Sequence, residues 1–352
     1  MRTLLASLFV AALTVPAGLV AQGPPPGQTP APCTPAGDVQ FVCGLQAPED
    51  LVVVPGGQWV VAGAYGGSGG VYLINAKERK PLRVYPAAGA AEKLDATVYK
   101  ACPGAPDAAT KAKFQTHGLY MLAGTNNVHR LFVVLHGGRE SVEVFEVDAR
   151  QATPVVTWIG CVVAPEPIGL NSVRGLPDGG FIATNFLARG PGGGLGGAGM
   201  KAMMAGEKNG ELWEWHPASG WQKLPGTETA GANGLELSDD GKTMYVAAWG
   251  TQSFFRVSRG AAAPERKEIP LGFRVDNIRW SRDRSILAVG QGGTPAATVI
   301  VKIDPNTLAV RELLRHPDTP AYGAGTVAVE IGNDLWVGSY RGDRLAIVAA
   351  PK

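Results

Sequence analysis

One phrase recurs six times along the chain, and it narrows the choice of fold more than any other feature. Each copy runs polar residue, short apolar strand, Gly/Asp turn, second apolar strand. The copies are EDLVVVPGGQWVVAG from Glu49, HGLYMLAGTNNVHRLFVVLH from His117, NSVRGLPDGGFIATN from Asn171, NGLELSDDGKTMYVAA from Asn233, DNIRWSRDRSILAVG from Asp276 and GTVAVEIGNDLWVGS from Gly325. Their starts lie 68, 54, 62, 43 and 49 residues apart, a spacing that suits repeated four-stranded units joined by loops of unequal length. Inside each phrase the chemistry is that of a hairpin. Pro55-Gly56-Gly57, Pro177-Asp178-Gly179-Gly180 and Asp239-Asp240-Gly241 supply the turn. Val, Ile, Leu and aromatic residues flank it, as a pleated surface prefers.

Third strands follow at Val71–Ile74, Val142–Phe145, Glu211–Trp215 and Val299–Val301. Fourth strands read as Leu82–Tyr85, Val155–Ile159, Trp221–Leu224 and Val310–Leu314. With almost no helical periodicity, the expected fold is all-β: a six-bladed β-propeller of four-stranded antiparallel blades. The last unit has only about three strands, so Val39–Leu45 is expected to close the ring from the N-terminal side. A sandwich or an irregular β-solenoid is the structural alternative. The segment 188–209 (ARGPGGGLGGAGMKAMMAGEKN) breaks the pattern. Its methionines, Met200, Met203 and Met204, form too short a series for a stable helix, and it reads as a mobile loop over one end of the propeller.

The flanks place the chain in a cell. Met1-Arg2-Thr3, the apolar run Leu4–Ala12 and the small residues around Ala21 have the layout of a secretory signal peptide over residues 1–21. A Pro-rich leader, residues 22–38, then precedes a single propeller domain over 39–352. No other stretch approaches transmembrane length. An exported protein, secreted or periplasmic, is expected. Cys33, Cys43, Cys102 and Cys161 then read as two disulfides with three possible connectivities, of which the local one, Cys33–Cys43 with Cys102–Cys161, is preferred. No CxxC or nearby His pair supports zinc. Gly and Pro, 48 and 27 of 352 residues, belong to the turns, the leader and the loop at 188–209. A net charge of +2 without a long basic run gives no case for nucleic acid as a partner, and the sequence implies no particular oligomeric state.

In a propeller the first strand of each blade lines the central channel. The residues opening the phrases therefore converge on the axis: Glu49, His117, Asn171, Asn233, Asp276 with Asn277, and Gly325. Taken singly, an Asn or Asp here is a turn former. Taken together, Glu49, Asn171, Asn233, Asp276 and Asn277 offer an all-oxygen cage suited to Ca²⁺; Mg²⁺ is the nearest rival. His136 and His117 are the candidate bases by type, and Asp276 or Glu49 is a second candidate as base or nucleophile. His129, His216 and His316 sit in turn-like contexts and read as surface residues. Trp213 and Trp215 share one strand face and read as inter-blade packing. No GxSxG or phosphate-cradling loop is present.

Glu49-Asp50-Leu51, Asn171, Ala232-Asn233-Gly234-Leu235 running to Ser238-Asp239-Asp240-Gly241-Lys242, and Val275-Asp276-Asn277-Ile278 resemble the calcium-site motifs of the paraoxonases (arylesterases). Gly325-Thr326-Val327-Ala328 with Leu335-Trp336-Val337-Gly338 resembles that family's closing blade. The wider relatives are the gluconolactonase/regucalcin, diisopropylfluorophosphatase and strictosidine-synthase-like propellers. The resemblance covers most of residues 45–350 and implies one catalytic calcium held by Glu49, Asn171, Asn233, Asp276 and Asn277. It implies a small-molecule lactone or ester substrate.

The departures also matter. His136 falls where paraoxonases place one member of a histidine pair, but the strand expected to carry the other reads Pro154-Val155-Val156-Thr157-Trp158. The family's second, structural calcium uses an aspartate following the Asn171 equivalent. Here that residue is Ser172, although Asp50 is retained, so the resemblance leaves the second site open. The family's disulfide between terminal strands has no counterpart, since no cysteine lies beyond Cys161. Two functions follow: an exported calcium-dependent hydrolase of lactones or aryl esters, or a non-enzymatic propeller whose hub calcium is structural and whose loops bind a partner. A different chemistry on the same scaffold is a third, because fold does not fix reaction.

Overall fold

Hairpin follows hairpin around a ring in the computed structural model, which describes residues 32–189 and 197–351. The chain opens with β1 (Gln40–Cys43). The first blade is β2 (Pro48–Val53), β3 (Trp59–Ala64), β4 (Gly70–Asn75) and β5 (Pro81–Tyr85). A short β6 (Ala91–Glu92) and the single-turn α1 (Ala108–Lys111) lead into the second blade. That blade is β7 (Gln115–Leu122), β8 (Val128–His136), β9 (Ser141–Asp148) and β10 (Val155–Val163), with β6 added along its outer edge. The third is β11 (Leu170–Gly175), β12 (Phe181–Asn185), then, after the helix α2 (Gly197–Met204), β13 (Glu211–His216) and β14 (Gly220–Lys223).

The fourth blade is β15 (Ala232–Leu237), β16 (Thr243–Ala248), β17 (Ser253–Ser258) and β18 (Arg266–Pro270); the last two strands had no reading in the sequence. The fifth is β19 (Arg274–Trp280), β20 (Ile286–Gly292), β21 (Ala297–Ile303) and β22 (Val310–Pro317). The sixth is β23 (Gly325–Ile331), β24 (Asp334–Ser339) and β25 (Arg344–Ala349), completed by β1 from the other end of the chain. The expected six-bladed propeller and its closing N-terminal strand are both present. β1 pairs antiparallel with β25, from Gln40 opposite Ile347 to Cys43 opposite Arg344.

The six innermost strands, β2, β7, β11, β15, β19 and β23, pack side by side around the axis. Glycines permit that approach. A Cβ on Gly118 would lie 2.3 Å from the carbonyl oxygen of Asn171, and one on Gly234 would lie 2.5 Å from that of Asp276. The apolar faces between blades carry the core, as where Phe132 of the second blade packs on Phe181 of the third with ring centroids 6.1 Å apart. Both expected disulfides are formed, Cys33–Cys43 and Cys102–Cys161. Among the described residues no helix is long and apolar enough to cross a membrane. The signal peptide and most of the leader lie outside the described residues.

The segment 188–209 differs from expectation. Residues 190–196 lie outside the described residues, but 197–204 form α2 rather than loop. Packing, not intrinsic propensity, accounts for so short a helix: Met203 is fully buried against Phe186, Leu187 and Ala230.

Candidate active site in the central channel

Every innermost strand is interrupted at the same place. Its register against the second strand slips between Pro48 and Asp50, Thr116 and Leu119, Leu170 and Val173, Ala232 and Leu235, Val275 and Ile278, and Gly325 and Val327. These bulges hold Glu49, His117, Asn171, Asn233, Asp276 with Asn277, and Thr326. An extra residue in one strand breaks the strict alternation of faces and re-aims side chains. Six bulges at one level thus turn six blades' side chains onto the axis. Thr326 differs from the rest, its hydroxyl donating to the Glu49 carbonyl and tying the sixth blade to the first.

The five oxygen-bearing candidates are all buried. Asn277 Nδ2 donates to Glu49 Oε1 at 2.7 Å, and Gln291 Nε2 donates to Asp276 Oδ2 at 3.0 Å. Glu49 Oε2, Asn171 Oδ1, Asn233 Oδ1 and Asn277 Oδ1 are buried with no hydrogen-bond partner. A buried acceptor left unmatched is costly, and here four come from four different blades. The carboxyls respond accordingly. Burial, reinforced by the charges of Asp276 and Asp50, pushes Glu49 well above the usual carboxylate range. Burial pushes Asp276 up to about 7, against the hydrogen bonds of Gln291 and Asn233. Two reluctant carboxylates and three carboxamide oxygens are the donor chemistry of a hard cation. Among the described residues no group of three or more His, Cys, Asp or Glu is placed to hold a metal; this set has only two acids, and its remaining donors are amides.

His117 and His136 form a pair. His117 Nδ1 lies 3.0 Å from His136 Nε2, and His136 Nδ1 lies 2.8 Å from Glu140 Oε2. The absent partner expected for His136 is therefore corrected: the partner is His117 on β7, not a residue of the 154–158 segment. The bulge between Thr116 and Leu119 brings the two rings together although they are 19 residues apart. Asn171 Nδ2 stands 3.3 Å from His117 Nε2, which the hydrogen-bond pattern assigns as an acceptor. Burial, then the repulsion a second protonated ring at His136 would bring and the Arg189 guanidinium, holds His117 well below the usual imidazole range. Burial lowers His136 too, outweighing Glu140. Both rings are neutral near pH 7 and able to take a proton. Arg189 Nη2 lies 3.1 Å from His136 Nε2, and its Nε lies 3.1 Å from Glu140 Oε2. Glu140 Oε1 also accepts the Leu170 amide at 2.6 Å. Of the remaining histidines, His129 is corrected: it is buried on β8, its Nδ1 accepting the Gly124 amide, rather than a surface residue.

A second ring sits above the first and escaped the sequence reading. Tyr65, His136, Phe186, Trp249, Gln291 and Tyr340 occupy the last residue of the second strand in the six blades or one position to either side of it. The signal was available as a repeated strand ending: GAY, VLH, TNF, AAW, VGQ, GSY. With Met200 of α2, most of these close a cavity of about 110 Å³ over Glu49, His117, Asn171, Asn233 and Asp276. Tyr65 packs on His117 with ring centroids 4.5 Å apart. Gln291 links Asp276 to the Gly325 carbonyl, and Trp249 Nε1 donates to Gln291 Oε1.

By sequence the chain matches no family model and no curated protein. By fold it is similar to a luciferin-regenerating enzyme, at 14% identity over 89% of this chain and 97% of that one, with a TM-score of 0.55. It is similar to a candidate gluconolactonase at 15% identity, covering 90% and 95%, TM-score 0.53. It is also similar to the calcium-binding protein regucalcin of Agrobacterium tumefaciens at 12% identity, covering 88% and 92%, TM-score 0.50. The chain has the fold of the gluconolactonase and regucalcin propellers. Identities this low extend the likeness to the fold alone, so the channel residues carry the functional reading.

Proposed function

We propose that the protein is an exported hydrolase that holds one Ca²⁺ in its channel and opens small lactones or aryl esters. The observation carrying this reading is the set of four unpartnered buried oxygens, Glu49 Oε2, Asn171 Oδ1, Asn233 Oδ1 and Asn277 Oδ1, drawn from four blades beside the Asp276 carboxylate. When bound there, the cation would supply Lewis acidity toward a carbonyl oxygen. His117 Nε2 faces the same cavity and is the base positioned to take a proton from attacking water. His136 and Glu140 orient His117 and offer the proton a path away from the channel. Tyr65, Phe186, Met200, Trp249 and Tyr340 form an apolar wall that favours a compact, weakly polar acyl or lactone group.

The gluconolactonase-type likeness supports lactones among carbonyl substrates, and the two disulfides accord with an oxidising compartment. The non-enzymatic reading drew on an unpaired His136, and the His117–His136 pair removes that ground. Replacing His117 by Gln tests the enzymatic role: turnover of a lactone and aryl-ester panel is expected to fall at least about 100-fold with calcium binding retained. Equal turnover in wild type and variant would remove His117 as the base.

A further inference from the structure

Below the cage lies a second charged centre that the reaction does not use. Asp50 follows Glu49 on β2 and is fully buried. Its Oδ1 accepts the Leu51 amide at 2.8 Å and its Oδ2 accepts the Leu119 amide at 2.6 Å. Arg279 reaches it from β19, four blades further along the ring in chain order. Arg279 Nη2 donates to Asp50 Oδ1 at 2.5 Å, to Asp50 Oδ2, and to the Leu119 carbonyl at 3.0 Å. Its Nε reaches the Leu51 carbonyl and its Nη1 the carbonyl of Ile278. Three oxygens from the first and second blades therefore converge on one cationic nitrogen of the fifth. That is the kind of donor group a hard cation takes, and the guanidinium stands in the middle of it.

Charge balance points the same way. Asp50 supplies one negative charge and Arg279 one positive charge, so the pair is neutral as it stands. A divalent ion added here would meet one carboxylate already engaged and the guanidinium in the middle of the donor set. Arg279 also lines the cavity at the opposite mouth, with Tyr120, Glu236 and Trp280, so the Asp50–Arg279 pair divides the channel into two chambers.

We infer that the Arg279 guanidinium is a built-in second cation of the channel, fixed in the place of a second metal ion, so that only the cage around Glu49 and Asp276 takes metal. This rests on the calcium reading of that cage. The site created by removing the guanidinium is expected to bind Ca²⁺ through Asp50 and the Leu51 and Leu119 carbonyls.

Calcium bound per chain, by equilibrium dialysis, and thermal melting with and without calcium test the inference in wild type, Arg279→Ala, Arg279→Lys and Arg279→Ala with Asp50→Asn. Wild type and Arg279→Lys are expected to take one equivalent. Arg279→Ala should take a second, weaker one, and calcium should raise its melting temperature more than that of wild type; the double variant should lose both gains. A wild type with a second equivalent that Asp50→Asn abolishes overturns the inference. So does a folded Arg279→Ala with one equivalent and no added calcium response. If Arg279→Ala does not fold, Arg279→Lys decides, since two equivalents there contradict a cation-filled site. A wild type that takes no calcium and is unchanged by Asp276→Asn refutes the cage instead; the Asp50-dependent equivalent of Arg279→Ala remains a separate readout.

Discussion

Asp276 and Glu49 are acids taken out of water before any cation is counted, and these two groups give the metal-free protein a pH response of definite sign. Asp276 keeps its proton up to about 7 when folded, against an ordinary value of 3.8, and Glu49 is shifted the same way. Between those values the folded state binds more protons than the unfolded one, so stability present in acid is lost as pH rises through the window. In chelator, the melting temperature of wild type relative to Asp276→Asn, a difference in which the opposing titration of His117 and His136 cancels, is expected to fall from about pH 4 to about pH 7, and calcium should flatten the fall. A chelated difference that rises over that range contradicts it. Asp276→Ala and Asn233→Ala each remove a cage oxygen; each is expected to lower calcium affinity at least about 10-fold and to abolish turnover. At this scale the sequence was informative where residues repeat. The opening residues of the phrases share a position, so their convergence could be read without coordinates. The second ring was not read because Tyr65, Phe186, Trp249 and Tyr340 look like ordinary strand-end aromatics. Arg189 and Glu140 repeat nowhere; Glu140 meets His136 across the local turn between β8 and β9, four residues on, whereas only tertiary structure brings Arg189 there.

Strands explain the misreading of the histidines. His117 and His136 lie on paired strands, and regular pairing is interrupted between Thr116 and Leu119. A bulge is a register fact; it leaves no mark in hydrophobic alternation that short. The helix α2 carries a similar lesson, since its glycine-rich approach gives no helical pattern and one buried side chain holds it. Met203→Ala is expected to cost about 3 kcal/mol, as truncation of buried methionine does, and to impair turnover because Met200 is on the same helix. Unchanged melting and unchanged turnover together would show that α2 does not depend on that anchor. The Cys102–Cys161 bridge closes a loop across 59 residues. Replacing both cysteines by Ala should lower stability by about 4 kcal/mol on chain-entropy grounds, seen as a drop in denaturation midpoint with a steeper slope, since the uncrosslinked denatured chain exposes more surface. A midpoint equal to wild type would leave the bridge without a stabilising role.

Closure is what makes the whole ring a unit. β1 brings the N-terminal chain onto β25, and the neighbouring Cys33–Cys43 bridge ties that strand to the chain before it. Removing residues through Cys43 would leave an unpaired strand edge on the last blade; broadened, less cooperative unfolding and aggregation are expected by calorimetry and light scattering. A truncated chain that melts as sharply as wild type would show closure to be dispensable. The six-fold pattern was legible because each blade repeats its hairpin chemistry, whereas the order of blades around a channel that Arg279 divides is a property of the closed ring.

The central claim joins this ring to its chemistry, and one titration tests it. Calcium is added to the metal-free protein while bound metal and hydrolysis of a lactone and aryl-ester panel are followed in the same samples. Turnover that rises in proportion to one equivalent of Ca²⁺ per chain, and vanishes again in chelator, is the predicted result. Turnover indifferent to calcium, or one bound equivalent with no hydrolysis of any substrate in the panel, contradicts it.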